Sequence, residues 1–123
     1  MPITNDDIAR GLRQHPAQIS PKYFYDQRGS ELFEDITRLP EYYPTRTENA
    51  IMQRHAADIA QAVGPGRTVI ELGAGNCSKA EALCRMVRPA CFVGVDISAD
   101  FLAEAVERLR RTCAPLDARA VAG

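Results

Sequence analysis

The stretch RTVIELGAGNCSKA, residues 67–80, decides the fold. Its opening β-branched run, TVI, is typical of a buried strand in a parallel sheet. Gly73 and Gly75 interrupt that run, and two glycines one residue apart allow a tight turn and a close approach of the backbone to a ligand. Ser78 then opens a helix that we expect to reach about Arg88. Strand, glycine turn and helix are the first half of a nucleotide-binding βαβ unit.

The second half of the unit follows in residues 91–96, CFVGVD. This apolar run predicts a second strand, and it ends at Asp96, 23 positions after Gly73. The spacing is close to that at which an acidic residue at the tip of the second strand meets ribose hydroxyls. A carboxylate only accepts hydrogen bonds, and a diol offers two donors. We therefore predict that Asp96 binds the ribose of a cofactor.

The residues around the turn favour S-adenosylmethionine over NAD. Ser78 stands where the third glycine of G-x-G-x-x-G would be, so the pyrophosphate-binding pattern is incomplete. S-adenosylmethionine has no pyrophosphate, and its amino group and sulfonium are cationic, which suits the acidic strand ends at Glu71 and Asp96. The alternative is a plain strand-to-helix turn in which the glycines serve geometry alone.

Composition argues against several classes of protein. The 123 residues are enough for one small domain. A formal net charge of −1 gives no electrostatic case for nucleic acid or an anionic membrane, and no apolar run approaches the roughly 20 residues of a membrane span. Four cysteines with no C-x-x-C pair and no histidines at zinc spacing predict reduced thiols in a cytoplasmic protein, without a metal site.

The chain divides into two predicted parts. Residues 1–64 form a helical lead-in with aromatic loops, and residues 65–123 form the first part of an S-adenosylmethionine-binding domain. In the second part, Ser98 caps a further helix, and a third strand is expected at Ala118–Ala122. Because a doubly wound sheet has about five to seven strands, we expect an incomplete Rossmann-like α/β fold, the N-terminal part of a longer protein.

Three helices are predicted within the lead-in. The first begins at a Thr4 cap and the second at a Ser30 cap. The third begins with a capping box of Thr45 and Glu48 and continues to Gly64. The two aromatic loops between them are predicted to line the site. The first, residues 20–26, is either a packed surface segment or one that presents a tyrosine hydroxyl to a cavity.

Four motifs together resemble one protein family. In chain order they are Tyr23-Phe24-Tyr25-Asp26, Gly29-Ser30-x-Leu32-Phe33, Ile36-Thr37-x-Leu39-Pro40-Glu41-Tyr42-Tyr43-Pro44-Thr45-Arg46-x-Glu48, and Glu71-Leu72-Gly73-x-Gly75. The most specific part is LPEYYPTR, residues 39–46. The set resembles the histidine-specific, S-adenosylmethionine-dependent methyltransferases, such as the L-histidine Nα-methyltransferase of ergothioneine biosynthesis. The resemblance covers about residues 15–123 and implies a class I methyltransferase fold.

The resemblance also implies roles for five residues. Tyr25 would reach the cofactor and the reacting groups, and Gly73, Lys79 and Asp96 would bind the cofactor. Tyr42 would line the histidine pocket. In such enzymes the α-amino group of histidine attacks the methyl group of S-adenosylmethionine three times, giving the trimethylated betaine.

Other functions stay open at this point. One is a related methyltransferase that acts on another amine, and a second is a non-catalytic remnant that either binds the cofactor weakly or does not fold alone. An NAD-dependent oxidoreductase fits less well because the third glycine is missing. For the methyltransferase we expect L-histidine as a small-molecule substrate, no nucleic-acid or membrane partner, and a monomer at full length.

Overall fold

The first part of the chain is helical. A computed structural model describes residues 5–123. The helices are α1 (Asn5–Leu12), α2 (Gln27–Thr37), α3 (Pro44–Arg54) and α4 (Ala56–Val63), with a 3-10 turn at Pro21–Phe24. The predicted Thr4 cap lies outside the described residues. Within those residues, no helix has the length and apolarity needed to cross a membrane.

Helix α2 begins earlier than the sequence predicts. The Asp26 carboxylate accepts a hydrogen bond from the Gly29 N–H at 2.7 Å and caps a helix that starts at Gln27. The prediction that Ser30 is the cap is therefore wrong. Ser30 lies inside the helix and is buried, and its hydroxyl donates to the Ser98 hydroxyl at 3.1 Å. A residue read as a local cap thus makes a long-range contact.

The helix predicted from Thr45 to Gly64 is two helices. Helix α3 ends at Arg54, and His55, with φ −105° and ψ 15°, separates it from α4. Neither proline nor glycine marks the break. Helix α4 packs against α5 (Ser78–Val87), and this packing accompanies the break between α3 and α4.

Helix α3 starts with a proline rather than a capping box. Pro44 occupies the first turn, where its fixed φ suits a helix and its missing N–H has no helical partner to lose. Tyr43 is the N-cap and gives no side-chain hydrogen bond, so the predicted Thr45–Glu48 box is wrong. The Glu48 carboxylate instead lies 3.5 Å from the Lys79 ammonium.

Three parallel strands follow the helices. They are β1 (Thr68–Leu72), β2 (Cys91–Asp96) and β3 (Asp117–Ala122), in the order β1-β2-β3, and α5 and α6 (Ala99–Thr112) connect them. The three predicted strands and the α/β class are confirmed. The register pairs Leu72 with Val95 and Val95 with Val121, so the carboxyl ends of the strands meet at one edge of the sheet.

One face of the sheet packs on α5 and α6. Phe92, Leu102 and Leu109 are fully buried there. A Cβ on Gly94 would lie 3.2 Å from the side chains of Ala74 and Leu102, so glycine at this position lets α6 and the turn after β1 approach the sheet. This packing fixes the loops that follow β1 and β2.

The opposite face of the sheet is open. Ile70 is 63% exposed, Leu72 80% and Val121 47%. Helix α2 contacts α6. The division of the chain into residues 1–64 and 65–123 stays a prediction.

Candidate functional site

A cleft of about 560 Å³ opens at the carboxyl ends of β1 and β2. Open parallel sheets bind ligands at this end of their strands, and small-molecule sites have volumes of about 300–1,000 Å³. Its walls come from the carboxyl ends of β1 and β2, from the loops that follow these two strands, from helix α2, and from Tyr25, which precedes the Asp26 cap of that helix. The lining residues are Tyr25, Ser30, Phe33, Leu72, Gly73, Gly75, Val95, Asp96, Ile97, Phe101 and Gly123.

The glycine turn forms the floor of this cleft. Gly73 has φ 71° and Gly75 has φ 56°, a backbone conformation that glycine adopts without a steric cost. A Cβ built on either residue meets no atom within 4 Å, so conformation rather than lack of space requires glycine. The Gly73 N–H donates to the Val95 carbonyl at 2.7 Å, which ties the turn to β2.

Asp96 connects the two loops of the cleft. Its Oδ2 accepts from the Gly75 N–H at 2.9 Å, and its Oδ1 accepts from the Ser98 N–H at 3.0 Å. A carboxylate offers about four lone-pair sites, so two remain for a ligand. The sequence predicts only a ligand-binding role for Asp96, and the structure adds a role in holding both loops.

Tyr25 reaches the same cleft from the lead-in. It follows the Pro21–Phe24 turn, and its N–H donates to the Lys22 carbonyl at 3.3 Å. Its ring is half-exposed and lines the cleft. The fold therefore brings together three of the predicted site residues, Tyr25, Gly73 and Asp96, from three separate segments.

Lys79 lies in the first turn of α5, outside the cleft lining. Its Nζ is 3.2 Å from Glu71 Oε1 and 3.5 Å from Glu48 Oε1. Burial lowers the pKa of Lys79, but the hydrogen bond and charge of Glu71, together with Glu48, outweigh burial and raise it. Burial raises the pKa of Glu71, although Lys79 opposes this. Lys79 is therefore a charged group held between two carboxylates.

Tyr42 also lies outside the cleft lining, but it contacts a residue that belongs to it. Its ring meets Phe33 edge-on, with centroids 6.0 Å apart and an interplanar angle of 84°. The Arg46 guanidinium fixes the loop before α3 by donating to the Leu39 carbonyl at 3.0 Å and the Pro40 carbonyl at 2.6 Å. Contacts therefore hold both the Tyr42 ring and the backbone of the loop before α3.

Helix α2 contributes two cleft residues that the sequence does not predict as site residues. Ser30 and Phe33 lie three positions apart on α2 and line the cleft together. Residues three positions apart lie on one face of a helix, so the sequence indicates that Ser30 and Phe33 face the same way. It does not indicate which part of the protein that face contacts.

A glycine turn after the first strand of a parallel α/β unit, with a carboxylate at the end of the second strand, is the arrangement typical of nucleotide-binding cofactor domains. A profile of the family described as "Histidine-specific methyltransferase, SAM-dependent" matches residues 4–123. The chain belongs to this family.

Relatives point the same way. The chain is 39% identical over 121 residues to the histidine N-alpha-methyltransferase of Mycobacterium tuberculosis (strain CDC 1551 / Oshkosh), a match that covers 95% of this chain and 37% of the relative. It is 44% identical over 103 residues to the histidine N-alpha-methyltransferase of Mycolicibacterium smegmatis, which covers 80% of this chain and 32% of the relative. A 4-dimethylallyltryptophan N-methyltransferase of Claviceps purpurea (strain 20.1) is 31% identical over 108 residues, 85% of this chain and 31% of the relative. The chain thus spans about a third of the length of these three curated relatives.

Proposed function

We propose that this chain supplies the cofactor-binding part of an S-adenosylmethionine-dependent methyltransferase that acts on the α-amino group of L-histidine. The observation that carries the proposal is the cleft at the ends of β1 and β2, where Tyr25, Gly73 and Asp96 meet. The family and the two mycobacterial relatives support the choice of cofactor and substrate. The product would be the trimethylated betaine of the ergothioneine route.

The residues of the cleft suit the proposed cofactor. Asp96 keeps two acceptor sites for the ribose hydroxyls, and the bare backbone of Gly73 and Gly75 permits close approach. Lys79 lies in the first turn of α5, just beyond the glycine turn, and we propose that its ammonium leaves Glu48 to bind a carboxylate of the cofactor. Exchange of one exposed carboxylate partner for another costs little, because such surface ion pairs contribute only about 0–1 kcal/mol.

The proposed chemistry asks little more of the chain than positioning. When bound, S-adenosylmethionine supplies an electrophilic methyl group on a sulfonium. The protein must hold the neutral amine in line with that group, and orientation of this kind supplies most of the rate. Tyr25 lines the cleft, and we propose that its hydroxyl accepts the proton of the amine as a relay rather than as a full base.

Tyr42 is proposed to line the amine pocket. It packs on Phe33 at the edge of the cleft, and Arg46 fixes the loop that carries it. Aromatic rings beside a sulfonium or a methylated ammonium gain about 0.5–2 kcal/mol of cation–π stabilisation. Tyr25 and Tyr42 therefore have an electrostatic reason to be aromatic.

The sheet itself is proposed to be the first part of a larger Rossmann-like methyltransferase sheet, with residues 1–64 as a lead-in that lines the site and residues 65–123 as the start of the cofactor domain. The exposed apolar residues Ile70 and Leu72 on its open face support this, as does the greater length of the relatives. We further propose a monomeric protein of the cytoplasm, where its four free cysteines would stay reduced.

A methyltransferase for another amine is the second candidate, favoured by the similarity to the 4-dimethylallyltryptophan enzyme. The test is an assay of the protein at its full encoded length with S-adenosylmethionine and a panel of amines, read by mass spectrometry. Histidine gaining three methyl groups, with tryptophan derivatives unchanged, supports the first candidate. Methylation of a tryptophan derivative alone supports the second, and no methylation of any amine contradicts both.

A further inference from the structure

Helix α2 is joined to both loops of the cleft by hydrogen bonds between residues far apart in the chain. The Ser30 hydroxyl meets the Ser98 hydroxyl, 68 residues away, at 3.1 Å, and the pair is buried. The Asn76 amide Nδ2 donates to Glu34 Oε2, 42 residues away, at 2.6 Å. Ser30 and Glu34 are four positions apart and so share one face of α2. This face contacts the loop after β1 and the loop after β2.

These bonds close a ring around one side of the cleft. From Ser98 the ring continues through its N–H to Asp96, and from the Asp96 carboxylate to the Gly75 N–H. Gly75 is the neighbour of Asn76, which returns to Glu34 on α2. The lead-in helix therefore takes part in fixing the loops that we propose bind the cofactor.

Asn76 has a partner for each polar atom of its side chain. Its Oδ1 accepts from the Ser78 N–H at 2.9 Å, at the start of α5, while its Nδ2 donates to Glu34. Its backbone carbonyl accepts from Arg108 of α6 at 2.7 Å. One residue thus links α2, α5 and α6 directly beside the glycine turn.

We propose that Asn76 and Glu34 form a positioning pair that holds the glycine turn in the conformation required for S-adenosylmethionine. This inference rests on the proposed function and adds a residue of the lead-in to it. Neither side chain lines the cleft; the pair acts through Gly75, whose backbone does. Holding that turn in advance reduces the ordering cost of binding.

The structure offers a test by reversal of the hydrogen bond. Asn76→Asp keeps the Oδ1 acceptor for Ser78 but places a second carboxylate against Glu34, so the contact becomes repulsive. Glu34→Gln alone keeps an acceptor for Asn76. The double variant Asn76→Asp/Glu34→Gln restores a donor–acceptor pair with its direction reversed.

The measurement is the Kd for S-adenosylhomocysteine by calorimetry, on the protein at its full encoded length. Because repulsion between the two carboxylates would release the glycine turn, we expect Asn76→Asp to weaken binding about tenfold. Glu34→Gln and the double variant should stay within about threefold of the wild-type protein. Asp35→Asn, at the exposed neighbour on α2, is the matched control and should leave the Kd unchanged.

Each outcome of this measurement either supports or overturns the proposed positioning pair. Tight binding by Asn76→Asp, or a double variant as weak as Asn76→Asp, would overturn the pair while leaving the proposed function intact. If Asn76→Asp fails to fold, the double variant decides alone: near wild-type binding supports the pair and weak binding overturns it. A wild-type protein that does not bind S-adenosylhomocysteine would overturn the proposed function, and the pair with it.

Discussion

Asp96 Oδ2 accepts a hydrogen bond from the backbone N–H of Gly75 at 2.9 Å, across 21 residues of sequence. The carboxylate at the end of β2 therefore holds the glycine turn at the end of β1. A residue that the sequence predicts as a ligand contact is thus also part of the architecture of the cleft.

Replacing Asp96 with asparagine should lower the stability of the fold and weaken ligand binding in the cleft. An amide has one oxygen, so either the Gly75 or the Ser98 N–H would face an NH₂ group instead of an acceptor. An unsatisfied group of this kind costs about 1–3 kcal/mol, and we expect that loss in urea unfolding and at least a tenfold weaker Kd for S-adenosylhomocysteine. Glu104→Gln, on the exposed face of α6, is the control. Unchanged stability of Asp96→Asn would contradict the structural role.

Replacing Arg46 with lysine should affect the amine and not the cofactor. The guanidinium donates to two carbonyls, those of Leu39 and Pro40, and a single ammonium cannot reproduce that fork. The Tyr42 loop should loosen, so we expect the KM for the amine to rise about tenfold and the Kd for S-adenosylhomocysteine to change less than about twofold. Arg54→Lys at the end of α3 serves as control. Equal effects on both ligands would show that the loop is not specific to the amine pocket.

Glu71 should give the stability of the protein a pH dependence of unusual sign for a carboxylate. Burial raises its pKa above the ordinary value of 4.5, so the folded protein holds this proton more tightly than the unfolded chain. Its contribution to the free energy of unfolding therefore falls as the pH rises from about 4.5 through the folded pKa. Urea unfolding between about pH 4 and 7.5 should show wild-type stability falling relative to Glu71→Gln. A difference that is flat, or that grows with pH, would contradict the burial of this charge.

The four cysteines should divide into two classes of reactivity. Burial raises the pKa of Cys77 to about 11 and that of Cys84 to about 12, and both are almost fully buried. Cys91 and Cys113 are partly exposed. Since the thiolate is the reactive form, iodoacetamide at about pH 8 should label Cys91 and Cys113 first, and all four only in denaturant. Early labelling of Cys77, read by peptide mass spectrometry, would show that the glycine turn opens.

The βαβ unit and the place of Gly73 and Asp96 in the cleft are predictable because their signals are local. The strands follow from apolar runs such as that around Phe92, and the turn follows from Gly73 and Gly75. Asp96 is identified by its place at a strand end. The orders of strand, turn and helix are the same in the structure, since parallel strands joined by helices leave few arrangements.

The rest depends on contacts that sequence spacing does not contain. Asp26 and Ser30 are both good caps, and the choice of Asp26 follows from the burial of Ser30 against Ser98. The break at His55 has no local breaker and accompanies packing of α4 on α5. The partnership of Asn76 with Glu34 appears only when α2 is placed over the cleft.

NMR would test most directly whether the cofactor binds in the cleft at the ends of β1 and β2. Addition of S-adenosylhomocysteine to the protein at its full encoded length should shift the amide signals of Gly73, Gly75 and Asp96, which line the cleft. A second groove of about 650 Å³ lies between α3, α4 and α5 and includes Met52, Ala57 and Met86. The amide signals of these groove residues should not shift. Shifts confined to that groove, or no shifts at saturating ligand, would contradict the proposal that this is the cofactor site of a methyltransferase.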